Sequence, residues 1–288
     1  MRVVALSAAL GATAALSLTG GAGASPRLTG ACAKANLQLV HAGKLTVGTD
    51  NPAYPPWFGG APKGPWKISD PNSGKGFESA TVYAVAKTLG FARGEVQWMY
   101  VPFAKSYAPG KKSFDLDINE ISYTPARAKV VDFSNSYYDV HQSLVVRKGT
   151  PIARAHSIAA VRSYKLGVAI GTTSYDTIVK QIKPTQKPAV YDTNDKAVFA
   201  LKTKRIDGLV VDLPTAFYVT AVQVPNSTIL GTFPNIGKTP EHFGMVFQKG
   251  NPLRGCVNKA LAALKANGTL RKIQQTWLSR VVGVPALR

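Results

Sequence analysis

The stretch 114-FDLDINEISYTPARAKVVDFSNSYY-138 carries the pattern that decides the fold of this chain. Phe114, Leu116 and Ile118 alternate with polar residues, which predicts a strand with one apolar face. Continuing the alternation puts Glu120 on that same face, so a carboxylate lies in phase with apolar side chains. A local rule broken in this way is typical of a binding site.

A helix start follows this predicted strand. Thr124 and Pro125 have the order of an N-cap residue and a first helical residue. Arg127 then falls in the first turn, where the helix dipole disfavours a cation by about 0.3–1 kcal/mol. Because a surface arginine gains nothing from that position, we expect Arg127 to bind an anionic partner.

Outward from this stretch, predicted strands and helices alternate along the chain. Such alternation predicts an α/β fold with parallel sheet, in which ligands bind at the carboxyl ends of the strands. The predicted strands are 44–49, 96–101, 143–146, 165–170, 206–211 and 243–248, and the predicted helices are 77–89, 195–202 and two apolar-striped helices between 257 and 278.

The first residues have the pattern of an export signal. A single charge at Arg2 precedes the apolar run 3–18, and the small residues 22–24 fit a cleavage site, so we predict a signal peptide at 1–24. We therefore expect the protein outside the cytoplasm, extracellular or associated with the cell envelope. A lipid anchor on Cys32 is the weaker alternative, because the preceding 29–31 lacks the apolar residue usual before a lipidated cysteine.

The chain has two cysteines, Cys32 and Cys256. In an exported protein two cysteines favour a disulfide, which would close a loop of more than 200 residues. Two unpaired thiols are the alternative.

The formal net charge of the chain is +20. Nucleic-acid binding is one interpretation, but the lysines are scattered, no aromatic and basic repeat occurs, and export separates the chain from nucleic acid. We therefore expect no nucleic-acid partner and a basic surface that favours anionic envelope polymers. Alternation splits Asp115, Asp117 and Glu120 between strand faces, so no metal site is expected.

The order of motifs resembles the amino-acid-binding family of ABC-transporter solute-binding proteins (family 3 type). Each motif alone is weak, but their common order over 43–278 is specific. The motifs are GKLTVGTD (43–50) with Tyr54-Pro55-Pro56-Trp57, GFESATVYAVAKTLGF (76–91), FDLDINEISYTPAR (114–127) followed by VDFSNSYY (131–138), LGVAIGTTS (166–174), RIDGLVVDLP (205–214) and NKALAALKANGTLRKIQQTWL (258–278).

The resemblance implies a two-lobed α/β fold of the periplasmic-binding-protein type, with a ligand cleft between lobes joined by two hinge crossovers. We expect lobe I to comprise 25–140 and 242–288 and lobe II to comprise 141–241, with crossovers near 139–142 and 240–243. Both cysteines then lie in lobe I, where a disulfide would not obstruct closure of the lobes.

The resemblance also implies a set of ligand-binding residues. Arg127 matches the arginine that grips the ligand α-carboxylate, a task that suits a bidentate guanidinium. Asp212 matches the acid that accepts the α-ammonium. Ser122 and Thr173 match hydroxyl positions beside the carboxylate, and Thr172 belongs to the same helix start as Thr173. Tyr54 and Phe103 match the aromatic walls of the site. Asp50 lies near a position that contacts side-chain amines.

Structural roles remain possible for most of these residues. Asp212, Thr172 and Thr173 could only cap helices, and Tyr54 and Phe103 could belong to the core. Glu120 departs from the family pattern, because many relatives have glycine or serine there. It could receive a ligand cation or be a structural acid paired with a lysine.

We therefore predict a binding protein without cofactor that captures an amino acid, polar or basic by preference, and delivers it to an ABC-transporter permease as a monomer. One alternative is an enzyme on the same lobes, similar to cyclohexadienyl dehydratases, with Glu120 as general acid. The other is a ligand-sensing or envelope-binding module. Hydrolytic chemistry is not expected, since His41, His141, His156 and His242 have no triad or metal-ligand spacing.

Overall fold

Two five-stranded sheets organise the chain in a computed structural model that describes residues 27–236, 239–278 and 283–287. The predicted signal peptide, 1–24, lies outside the described residues. In chain order, strands β1 to β12 are Leu45–Thr49, Val96–Tyr100, Leu116–Asp117, Val131–Phe133, Tyr138–Asp139, Gln142–Arg147, Leu166–Ala169, Ala189–Tyr191, Gly208–Asp212, Ser227–Thr232, His242–Phe243 and Val246–Gln248. Helices α1 to α8 are Phe77–Thr88, Phe103–Ser106, Pro125–Ala128, Thr173–Asp176, Asn194–Lys202, Leu213–Tyr218, Leu253–Ala266 and Thr269–Leu278.

The first sheet has the order β2-β1-β3-β12-β4. β1 runs parallel to β2 and β3, whereas β12 is antiparallel to β3 and β4. Helices α1, α7 and α8 pack together in this lobe, and their buried side chains share one hydrophobic core with the sheet. In α7 the buried positions Leu253, Val257, Leu261 and Leu264 recur at helical spacing, which is the stripe that the sequence predicts.

The second sheet has the order β10-β6-β9-β7-β8. β7 is parallel to β8 and β9, and β6 is antiparallel to β9 and β10. The α/β fold class is thus confirmed, but each sheet is mixed. The antiparallel members are the strands at which the chain enters or leaves a lobe.

Two chain connections join the sheets, and they lie side by side. The first contains β5 and the second contains β11. These two strands pair antiparallel, with His242 opposite Asp139 and Phe243 opposite Tyr138. This two-stranded ribbon leads directly into β6 of the second sheet and returns to β12 of the first. The cleft between the lobes therefore opens next to the ribbon.

The predicted strand at 114–120 is shorter than expected. β3 contains only Leu116 and Asp117, and Glu120 has a left-handed backbone with φ of 52°, so the chain turns before the alternation reaches it. Residues 114–118 are all buried, because the strand is covered on both faces. The interpretation of Glu120 as the last residue of a one-sided strand was therefore wrong.

The carboxyl-terminal segment returns to lobe II. The Thr232 N–H donates to the Pro285 carbonyl, and the Leu287 N–H donates to the Thr232 carbonyl, both at 2.8 Å. The Leu287 side chain packs with Phe233 in the core of the second lobe. This differs from the expected assignment of 242–288 to lobe I, because the apolar Leu287 is buried against the other sheet.

Cys32 and Cys256 form a disulfide, so the predicted pairing is confirmed. The bond fastens the segment before β1 to the first turn of α7, within the first lobe. None of the helices in the described part of the chain has the length and apolar character needed to span a membrane.

Candidate functional site

The short helix α3 positions Arg127 between the two lobes. The Thr124 hydroxyl accepts a hydrogen bond from the Arg127 N–H and Pro125 occupies the first helical turn, as the sequence predicts. The guanidinium donates Nη1 to the Ser122 carbonyl at 2.6 Å and Nη2 to the Gly171 carbonyl at 2.7 Å. Two of five N–H donors are thereby used, which leaves capacity for an anion.

The Arg127 guanidinium also rests on aromatic rings. Its carbon atom lies 4.2 Å from the centroid of the Tyr107 ring and 5.7 Å from that of Phe103. The side chain is only 9% exposed, and burial lowers its pKa from the ordinary value. A desolvated, oriented guanidinium of this kind binds a carboxylate more strongly than a solvated one.

Ser122 and Thr173 face each other across the cleft, with 3.3 Å between their hydroxyl oxygens. Both hydroxyls donate to the Glu241 carboxylate, from Ser122 at 2.6 Å and from Thr173 at 2.5 Å. Thr172 is oriented differently, since its hydroxyl donates to the Ala169 carbonyl at the end of β7.

Asp212 ends β9 at the floor of the cleft. Its carboxylate accepts a hydrogen bond from Gln142 Nε2, and the side-chain oxygen Oε1 of Gln142 in turn accepts one from the Ser174 hydroxyl at 2.6 Å. Burial and the nearby charge of Glu241 raise the pKa of Asp212 well above its ordinary value. A cation placed here would recover the ionised form of the carboxylate.

Glu120 reaches across the cleft to the other lobe. Its Oε2 accepts a hydrogen bond from the Thr215 hydroxyl at 2.7 Å, and its backbone N–H donates to Glu78 Oε1 at 2.7 Å. Burial, Glu78 and Asp212 raise the pKa of Glu120 well above its ordinary value. The four ion pairs found within the described part of the chain do not include Glu120, so they give no support to the alternative of a lysine-paired structural acid.

The predicted aromatic walls have different surroundings. The Tyr54 hydroxyl lies within hydrogen-bonding distance of both Asp195 oxygens, at 2.6 and 2.7 Å, and its ring centroid lies 5.7 Å from that of Tyr218. Phe103 begins α2 and packs edge-on against Tyr107, beneath the guanidinium of Arg127. Both residues thus lie at the cleft. Tyr54 lies beside Asp195 of lobe II, and Phe103 lies beside Arg127.

The electrostatic character of the cleft is acidic. Burial raises the pKa of Asp50, and it raises the pKa of Glu78 to about 7. Burial is the largest cause of both shifts, so these two carboxyl groups are poorly solvated. Asp212 and Glu241 act on Arg127, and they belong to a set of carboxyl groups whose charges act on one another. The set consists of Asp50, Glu78, Asp117, Glu120, Asp195, Asp212 and Glu241.

The site contains residues that sequence reasoning missed. Gln142 and Glu241 lie in the two predicted crossovers, and Asp195 and Thr215 lie at helix starts of lobe II. The predicted crossovers could have pointed to Gln142 and Glu241, because a hinge connection borders the cleft. Among the described residues, no group of three or more histidines, cysteines or acids is arranged to hold a metal ion.

Comparisons with known proteins identify relatives of this chain. The profile of the bacterial extracellular solute-binding proteins, family 3, matches residues 45–280. The ABC transporter arginine-binding protein 1 of Escherichia coli (strain K12) is 31% identical over 171 residues, which is 58% of this chain and 67% of that protein. The L-cystine-binding protein of the same strain is 27% identical over 82% of each chain.

A solved structure of an ancestral arginine-binding protein bound to glutamine superposes with a TM-score of 0.65. It is 31% identical, and the match covers 82% of this chain and 97% of that one. These findings confirm the resemblance and the prediction of a binding protein in preference to an enzyme. The chain belongs to the bacterial extracellular solute-binding proteins of family 3.

Proposed function

We propose that this solute-binding protein captures an amino acid with a positively charged side chain and delivers it to an ABC-transporter permease. The observation that carries the proposal is the crowding of carboxyl groups opposite one oriented guanidinium. An amino acid with a cationic side chain has two positive groups and one negative group. It therefore matches the charges of the cleft better than a neutral or acidic amino acid does.

Each group of such a ligand has a partner in the cleft. Arg127 would take the α-carboxylate, with the hydroxyls of Ser122 and Thr173 beside it. Asp212 would take the α-ammonium. Glu120 and Asp50 would take the side-chain cation, while Tyr54 and Phe103 flank the aliphatic stem.

The raised pKa values support this assignment. A cation that approaches a buried carboxyl group with a raised pKa stabilises the ionised form of that group, and this favours binding of the cation. A ligand with an acidic side chain would add a further negative charge to the same space. We therefore expect the cleft to reject glutamate and aspartate.

A thermal-shift and calorimetric screen of the common amino acids tests the proposal. L-Arginine, L-lysine or L-histidine should bind most tightly, and a ligand at 100 times its dissociation constant should stabilise the protein by about 2.7 kcal/mol. A preference for L-glutamate, or no response to any amino acid, would contradict the proposal.

The variant Arg127→Ala should weaken binding by at least about 100-fold, because the ligand carboxylate loses a desolvated partner. Arg127→Lys should recover only part of this loss, since an ammonium lacks the bidentate fork. Arg254→Ala is the matched control: Arg254 is an exposed arginine on α7, so its removal should leave affinity unchanged.

We further propose that the mature protein acts as a monomer outside the cytoplasm, without a lipid anchor. The name of the family supports the location. The disulfide supports the absence of an anchor, because a Cys32 sulfur bonded to Cys256 is not available for a thioether to lipid.

A further inference from the structure

Glu241 lies in the second crossover, immediately before β11. Its carboxylate accepts hydrogen bonds from three side chains of two lobes: Ser122 of lobe I at 2.6 Å, and Thr173 and Gln142 of lobe II at 2.5 and 3.2 Å. Both Glu241 oxygens lie 3.2 Å from Gln142 Nε2. We call these four residues the Glu241 cluster.

The donors of this cluster are those of the proposed carboxylate site. Ser122 and Thr173 are the two hydroxyls next to Arg127, and in this structure both are directed at Glu241 Oε1. A hydroxyl has a single proton to donate. Ser122 and Thr173 therefore cannot serve a ligand carboxylate and Glu241 at the same time.

We propose that Glu241 is an internal competitor for the ligand carboxylate, which sets the affinity of the cleft by holding its hydroxyl donors. This inference rests on the proposed function and deepens it. An incoming amino acid must displace the Glu241 carboxylate from Ser122 and Thr173 before its own carboxylate can use them. The protein thereby binds its ligand more weakly than the donors alone would allow.

The electrostatics of the cluster favour such an exchange. With Glu241 in place, its carboxylate lies close enough to Asp212 to raise the pKa of that group. A ligand carboxylate bound between Arg127 and these hydroxyls would add another negative charge beside Glu241. Because like charges in a desolvated site repel strongly, the two carboxylates exclude each other even where the space would admit both.

The structure also contains space into which the side chain can move. Glu241, Gln142 and Thr173 border a cavity of about 620 Å³ on the side of α3 and α4. Lys180 lines the same cavity and pairs with Asp176 at 3.0 Å. A Glu241 carboxylate released from Ser122 and Thr173 can therefore turn toward this cavity, where it would share Lys180 with Asp176.

The decisive experiment compares two probes that differ only in the carboxylate. L-Arginine carries the competing group, and L-argininamide has a carboxamide in its place. Glu241→Ala should tighten L-arginine binding by at least about tenfold in calorimetry, since the hydroxyls no longer serve an internal anion. It should change L-argininamide binding by less than about threefold, and Glu241→Gln should give an intermediate effect on L-arginine.

Asp139→Asn is the matched control. It removes an exposed carboxylate from the same hinge ribbon, where Asp139 lies opposite His242 and accepts a hydrogen bond from Ser136. It should leave the affinity for both probes unchanged. An unchanged or weaker L-arginine affinity in Glu241→Ala overturns the proposal.

A second measurement needs no amino acid. Glu241→Ala deletes the atoms of one acetate ion, so added acetate should bind the vacated donors of Ser122 and Thr173 and raise the Tm of this variant. Sodium chloride at equal ionic strength should not do so, and neither wild type nor Asp139→Asn should respond to acetate. If neither L-arginine nor L-argininamide binds wild type or Glu241→Ala, the proposed function is wrong, and the acetate measurement then tests the role of Glu241 by itself. If acetate does not raise the Tm of Glu241→Ala selectively, the proposal for Glu241 is overturned.

Discussion

Glu120 combines backbone strain with a poorly solvated carboxyl group. Its φ of 52° lies in the left-handed region, which costs an L-residue with a side chain about 1–2 kcal/mol relative to glycine, and burial raises the pKa of its carboxyl group. A residue that violates two rules at once is retained where function requires it. The structure offers one functional reason, because the Glu120 carboxylate bridges to Thr215 of the other lobe inside the cleft.

We therefore expect Glu120→Gly to raise the free energy of unfolding by about 1–2 kcal/mol, measured by urea denaturation, while it weakens binding of a cationic amino acid. Lys204→Gly is the matched control: Lys204 has a φ of 63° but is exposed in lobe II, so the change reports backbone strain alone. Equal stabilisation by both variants with unaltered ligand binding would show that Glu120 has no role in the cleft.

Asp212 links ligand binding to protons. Its pKa is raised by burial and by Glu241, so the free cleft holds protons at pH values above the ordinary 3.8, and a ligand ammonium stabilises the ionised form. Binding of a cationic amino acid should therefore release protons, and affinity should rise as the pH increases through the raised pKa of Asp212. Calorimetry in buffers of different ionisation enthalpy measures the release directly. Asp212→Asn should reduce it, and a binding enthalpy independent of buffer in wild type would refute the linkage.

At the scale of elements, the disulfide defines how lobe I is held. Cys32 and Cys256 are 224 residues apart and join the segment before β1 to α7, without crossing the cleft. A cross-link over such a long loop stabilises chiefly by restricting the unfolded chain. Its effect should thus be on stability and not on the opening of the lobes.

The double variant Cys32→Ser/Cys256→Ser should lose about 2–5 kcal/mol of unfolding free energy, yet retain ligand affinity within about twofold. Thermal unfolding with and without dithiothreitol provides the comparison, since the reductant should destabilise wild type and have no effect on the variant. A large loss of affinity in the folded variant would mean that the bond also positions the cleft.

The elements also explain how much sequence reasoning could predict. The helix start at Thr124 and Pro125, the stripe of α7 and the strand leading to Asp212 follow local rules, and each is found where it was expected. Local rules could not predict the turn at Glu120, because a positive φ in a non-glycine residue has no sequence signature.

Contacts between lobes were harder still to predict. The bonds of Tyr54 to Asp195 and of Glu120 to Thr215 join residues 141 and 95 positions apart, so they depend on how the two lobes meet. Glu241 was missed for the same reason, since its donors come from three separate segments. The return of Leu287 to lobe II likewise depends on a packing partner, Phe233, that no periodicity identifies.

At the scale of the whole molecule, charge is segregated. The chain has 35 basic and 15 acidic residues, and many of the acids are used inside the cleft. The outer face formed by α7 and α8 has the opposite character: residues 242–278 contain no aspartate or glutamate. The exposed cations of this face are Arg254, Lys259, Lys265, Arg271 and Lys272.

This face should retain the protein on anionic polymers, with retention that falls as ionic strength rises. Replacing Lys259, Lys265 and Lys272 by glutamate changes the net charge by six, from +20 to +14, and should lower the salt concentration needed for elution from a phosphate-bearing or sulfated matrix. Replacing Lys165, Lys187 and Lys202 of lobe II by glutamate gives the same net charge on another surface. If both triple variants elute together, retention depends on total charge and not on the face of α7 and α8. Amino-acid affinity should stay the same in both, because none of the substituted lysines contacts the cleft.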